Sequence, residues 1–175
     1  MLNSLAGALV ARHDFEPGGC AIGASLVAYS GPPFDQIAAE PRSYPATDAM
    51  ARQIGRLAIR SLYREAALAP KPGLVSPESN GSHSDMDFAT FMRSLNALRS
   101  YFSAIADCGR KRPGFGSLRV LGIDAEAAML VATAGVNTHR GAIFNLGLLC
   151  AAAGCLVADG AALCPEATCA TVSQR

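Results

Sequence analysis

Tryptophan is absent from this chain, and aromatic residues make up only 6% of its 175 positions. β-Sandwiches rely on aromatic and β-branched strand residues, so this scarcity argues against one. No apolar/polar alternation of any length appears, and no segment repeats. Charge is also sparse, at 17% of residues with a net +1. That balance gives no broad attraction to nucleic acid or to an anionic membrane. Neither GxxxxGK[ST] nor a GxGxxG after a strand is present, so a bound nucleotide would be held without those folds. There is no CxxC pair among Cys20, Cys108, Cys150, Cys155, Cys164 and Cys169, and the late cluster matches no zinc-site spacing. Ala- and Leu-rich surroundings suit reduced, packed cysteines and a cytoplasmic setting. The N-terminus MLNSLAGALVARHDFEPGG lacks a basic start and is interrupted by Arg12, His13 and Asp14, unlike a signal peptide. The run 142–158 carries Asn145, Gly147 and Gly154 and is read as short of a membrane span. A soluble protein is expected.

What is present is Ala, Leu and Gly, with half of all residues hydrophobic. That is enough for one sizeable core of close-packed helices. Residues 1–45 contain EPGG, SGPPF and AEPRSYP and read as a loosely ordered arm, with a short helix near 2–11. Residues 46–175 read as the domain. Thr47 suits the N-cap of a helix over about 48–68. Met50, Ile54, Leu57, Ala58 and Leu62 share one face of it, and Arg52, Arg56, Arg60 and Arg64 another. Ser84 and Asp87 have capping-box spacing ahead of Phe88, Phe91, Leu95, Leu98, Phe102 and Ile105, a stripe that ends at Gly109. A third helix is expected over about 122–133, with Ile123, Ala127, Leu130 and Val131 inward. A fourth, over about 141–156, is expected to be the most buried. Pro165 opens a last helix that runs to Arg175 without a cap, so the bundle is expected to be incomplete at its C-terminus.

Chemistry-bearing residues gather in three places. Lys71, between Pro70 and Pro72, is a cation on a stiff loop, suited to a phosphate or simply solvated. In NGSHSDMD, His83, Asp85 and Asp87 crowd a helix start; the two aspartates suit Mg²⁺ or merely the helix dipole. In GVNTHRG, Asn137 or Thr138 can cap a helix whose free N–H groups form an anion site. There Arg140 offers a phosphate-matched fork, His139 a further donor, and Gly135 and Gly141 room for close approach. Glu65 and Glu126 lie in apolar helical contexts, REAAL and DAEAAML, facing either a polar cleft or a surface partner.

PKPGLV, then NGSHSDMDFATF, then GVNTHRGAIFNLGLLCAAAG, in that order and spacing, closely resemble the triphosphoribosyl-dephospho-CoA synthase family over about Ala49–Gly154. Ser76 stands where the family has Asp, and Ser82 where it commonly has Ala; family members also continue well past residue 175. The resemblance implies an all-α fold, here a multi-helix orthogonal bundle, and a transferase. That transferase joins ATP to 3′-dephospho-CoA with release of adenine, for the acyl carrier protein of citrate lyase or malonate decarboxylase. A separate enzyme then attaches the product to the carrier.

On residue type, Lys71, Asn137, His139, Arg140 and Gly141 are expected to hold phosphates, and Asp85 and Asp87 to hold Mg²⁺. Glu65 or Glu126 would accept a proton or stabilise an oxocarbenium-like ribose, and His83 would protonate the leaving adenine. Two other readings stay open: an all-α Mg²⁺-dependent nucleotide pyrophosphohydrolase, and an inactive helical fragment that binds a partner.

Overall fold

A computed structural model describes residues 48–112 and 114–173. The expected N-terminal arm, its short helix, Thr47 and Cys20 lie outside these residues. The described chain forms five α-helices and no strand: α1 Ala49–Ala66, α2 Phe88–Arg110, α3 Phe115–Ala132, α4 Arg140–Ala158 and α5 Pro165–Ser173. The all-α expectation holds.

Local chemistry sets the helix starts. Asp48 is the N-cap of α1, its carboxylate accepting from Met50 N at 3.1 Å. The capping box of α2 is Asp87 with Thr90, not Ser84 with Asp87. Helical backbone begins only at Phe88, so Ser84 stands outside it and Asp87 takes the cap. Asp87 Oδ1 accepts from Thr90 N and from Thr90 Oγ1, each at 2.7 Å. Those bonds, led by the Thr90 hydroxyl, hold the Asp87 carboxyl below its ordinary 3.8. Asp87→Ala is expected to lower stability by about 1 kcal/mol in urea denaturation, whereas Asp85→Ala should change it by less than about 0.5 kcal/mol.

α2 is the hub, packing on α1, α3 and α4. It carries Leu95, Leu98, Tyr101, Phe102 and Ile105, all fully buried. Each contributes roughly 1.5–3 kcal/mol on transfer from water. The helix expected to be most buried, α4, comes second, with Phe144 left 59% exposed. Glycines bring α2 and α4 together backbone to backbone: a Cβ at Gly109 would collide with the Ala151 carbonyl, and one at Gly154 with the Ala106 carbonyl. Arg110 reaches Asp48 at 2.6 Å, tying the end of α2 to the start of α1.

α3 departs most from expectation. It begins at Phe115 rather than near Gly122, and it buries Leu118, Ala125 and Met129 while Ile123 and Val131 are exposed. A helix apolar on nearly every side has no stripe to announce which face turns inward. α4 also corrects the sequence reading. Its 19 residues, with a mean hydropathy of 2.0, are long and apolar enough to cross a membrane by length and composition. A core helix passes the same test, and α4 packs against α1, α2, α3 and α5. Cys150 and Cys155 are buried and Cys108 and Cys164 half-buried, but Cys169 is exposed; all five are free thiols. Burial pushes the Cys150 thiol up to about 12.

Candidate functional site

The turn from α3 into α4 builds the centre of the site. Ala134 and Gly135 both take positive φ, at 54° and 89°, reversing the chain after α3. Asn137 Oδ1 accepts from Arg140 N at 3.2 Å, satisfying one of the open donors of α4. His139 occupies the N-cap position, and its backbone N–H points at Met129 Sδ, 3.2 Å away. Its ring turns inward rather than out. Nδ1 lies 2.7 Å from Ser94 Oγ on α2 and 3.2 Å from Thr138 Oγ1. Phe91 closes edge-on at 5.0 Å between centroids. The other ring nitrogen, Nε2, is buried without a hydrogen-bond partner.

Burial pushes the His139 imidazole from 6.5 down to about 4, against an opposing pull from the Glu65 carboxylate. The ring is therefore neutral at pH 7. The phosphate-holding part expected of His139 is therefore limited to hydrogen bonding: the ring can donate or accept, but the positive charge beside it is Arg140's.

Each expected cation meets an expected carboxylate. Lys71 Nζ donates to Glu65 Oε1 at 3.0 Å and to the Glu65 carbonyl at 2.9 Å, closing the loop back onto the end of α1. Arg140 Nε and Nη2 both reach Glu126 Oε1 at 2.6 Å, bridging α3 and α4. Glu65 and Arg140 are largely exposed, so these pairs add little stability. Beside them, nothing lies within 4 Å of where a Gly141 Cβ would stand, so the first turn of α4 is open.

The NGSHSDMD segment packs on the loop that carries Lys71, Ser82 N donating to the Gly73 carbonyl at 3.1 Å. His83 Nδ1 lies 3.6 Å from Asp85 Oδ1. No hydrogen bond or ion pair joins His83, Asp85 or Asp87 to the His139 cluster. Among the described residues no group of three or more His, Cys, Asp or Glu side chains is placed to hold a metal. Asp87 Oδ1 is committed to its cap, which leaves Asp85 as the freer carboxylate. Such a pair does not fit a protein cage. It fits Mg²⁺ only where substrate phosphates and water complete the ion's shell.

Ser94 is the residue that sequence reasoning missed. The one available signal was a serine inside the apolar stripe of α2, between Phe91 and Leu95. A separate cavity of about 390 Å³ between α1, α4 and α5, lined by Ile54, Leu57, Leu146, Cys150 and Thr168, contains none of these side chains.

Residues 51–174 match the family described as ATP:dephospho-CoA triphosphoribosyl transferase. The chain belongs to that family. Three curated relatives illustrate the likeness, each named as a 2-(5''-triphosphoribosyl)-3'-dephosphocoenzyme-A synthase, the first two with the qualifier "probable". The protein of Acinetobacter calcoaceticus is 49% identical over 110 residues, covering 62% of this chain and 38% of its own. That of Albidiferax ferrireducens is 47% identical over 126 residues, covering 69% and 42%. That of Pectobacterium atrosepticum is 44% identical over 119 residues, covering 65% and 40%. The chain thus spans about two fifths of the length of the curated relatives it matches. No solved structure matches it. Lys71, His83, Glu126, His139 and Arg140 all fall inside the stretch matched to the triphosphoribosyl transferase family.

Proposed function

We propose that this chain takes part in transferring the triphosphoribosyl group of ATP to 3′-dephospho-CoA, with release of adenine. The 2′-hydroxyl oxygen of the acceptor bonds to ribose C1′ of ATP as the bond from C1′ to adenine breaks. The hydroxyl proton leaves to a base, and the departing adenine gains a proton. The observation that carries this reading is the gathering of Arg140, the buried neutral His139 and the open first turn of α4, with free N–H groups at one helix head.

In this arrangement Arg140, Lys71, Asn137 and the Gly141 backbone hold the triphosphate, its oxygens taking the place of the paired carboxylates. Once freed, Glu65 or Glu126 accepts the hydroxyl proton or faces the positive charge that develops at C1′. His83 is assigned the proton given to adenine. Asp85, together with the phosphates, would hold Mg²⁺, which would supply charge neutralisation there. The product passes to a separate enzyme that loads the acyl carrier protein of citrate lyase or malonate decarboxylase, in the cytoplasm.

The test incubates the full chain with ATP and 3′-dephospho-CoA and measures free adenine chromatographically. Adenine release that depends on dephospho-CoA is expected. Pyrophosphate without adenine would instead support a nucleotide pyrophosphohydrolase. Arg140→Ala is expected to weaken ATP binding by at least about tenfold, with helix content by circular dichroism unchanged. Unaltered ATP affinity would remove Arg140 from the phosphate role.

A further inference from the structure

Ser94 lies in the middle of α2 and is fully buried, and its one hydrogen-bond partner is His139 Nδ1, at 2.7 Å. Two proton arrangements fit that distance. If Nδ1 carried the ring proton and donated it to Ser94 Oγ, the serine hydroxyl would need an acceptor of its own, and no other atom accepts from it. A buried hydroxyl left unsatisfied costs about 1–3 kcal/mol. If the serine donates to Nδ1 instead, both groups are satisfied and the proton of the neutral ring moves to Nε2. Thr138 Oγ1, at 3.2 Å, is less buried and adds a weaker contact on the same nitrogen. The hydrogen-bond inventory of a neutral imidazole, one donor and one acceptor, leaves no third arrangement.

We infer that Ser94 is a positioning residue: its hydroxyl donates to Nδ1 of His139 and places the ring proton on Nε2, a neutral N–H donor at the head of α4 that ligand binding must uncover before an anionic oxygen can reach it. This rests on the phosphate-site reading above for its ligand, but not for its proton placement. Nε2 is shut from solvent and has no acceptor within the protein, so its donor capacity is spare. Met129 and Phe91 fix the ring from the backbone and edge sides, so the Ser94 bond chiefly selects the tautomer. Nothing in the family match assigns Ser94 a part.

The test is ¹⁵N NMR of the side-chain nitrogens in the full chain labelled at histidine and arginine, near pH 7, with and without inorganic triphosphate. In the wild type, His139 is expected to show a protonated Nε2 and an unprotonated Nδ1. Ser94→Ala should redistribute the proton between the two nitrogens and weaken triphosphate binding by about tenfold. A wild-type spectrum with the proton on Nδ1 would overturn the inference without recourse to any variant. Triphosphate that shifts the Arg140 side-chain signals while leaving Nε2 in place would overturn the donor role but leave the phosphate site standing. Absence of triphosphate binding would overturn the donor role and the phosphate site together, while the ligand-free spectrum would still decide the tautomer.

Discussion

Gly154→Leu is expected to abolish the folded bundle. The backbones of α2 and α4 meet at Gly154 and at Gly109, each against a carbonyl of the other helix, so even a Cβ has nowhere to go. The colliding atoms are main-chain, and a main chain inside two long helices cannot swing aside as a side-chain tip can. Overpacking ordinarily costs about 1–3 kcal/mol. With two helices forced apart across a shared core, the loss should exceed about 4 kcal/mol, a large part of a typical domain's stability. Urea denaturation followed by circular dichroism would read this as a missing folded baseline. Gly116→Ala is the control, since a Cβ there meets nothing within 4 Å. In a helix that change should be neutral or stabilise by up to about 1 kcal/mol. A Gly154→Leu protein that melted like the wild type would mean that α4 does not sit on α2 as described.

The second large effect is expected on acidification. His139 titrates at about 4 in the folded protein and at about 6.5 when unfolded, because burial penalises the charged ring. Between those values the unfolded chain takes up a proton that the folded chain refuses. Stability therefore falls as pH drops from about 6.5 to about 4, by roughly 3 kcal/mol in all. Asp87, held below its ordinary 3.8, loses its contribution in the same direction but further into acid. His139→Gln should remove the slope between pH 6.5 and 4 while leaving the more acidic loss in place. Urea midpoints measured across that range would show this; a slope that survived in the glutamine variant would assign it to other groups.

The stripe of α2 was readable because its apolar residues recur at helical spacing against polar neighbours; Phe88, Leu95, Leu98, Phe102 and Ile105 are all buried as that spacing demands. α3 was not readable in the same way. Its composition is apolar all round, and only contact with α2 and α4 decides that Met129 rather than Val131 turns inward. The α2 cap was misplaced because Ser84, Asp87 and Thr90 offer two overlapping boxes, and the choice depends on where the loop lets helix begin. At the candidate site, residue types pointed to Lys71, Glu65, Glu126 and Arg140. That the four form two ion pairs, each between an expected phosphate cation and an expected base, is a matter of helix docking. The inward turn of His139 brings it against Ser94, a residue 45 positions away in sequence, and no local pattern carries that distance.

The two ion pairs have a consequence for selectivity. In the proposed phosphate role, an anion reaching these pairs, one at the end of α1 and one at the head of α4, does not add to empty cations; it must trade places with the paired carboxylates. For a single phosphate, one exchange gains a ligand bond and gives up a comparable one, so the balance is close to even. A chain of linked phosphates makes its second exchange from a tethered position, at a high effective concentration set by the first. On the proposed phosphate role, the paired site would act as a counter of charges, discriminating by the number of phosphates joined together rather than by the affinity of any one.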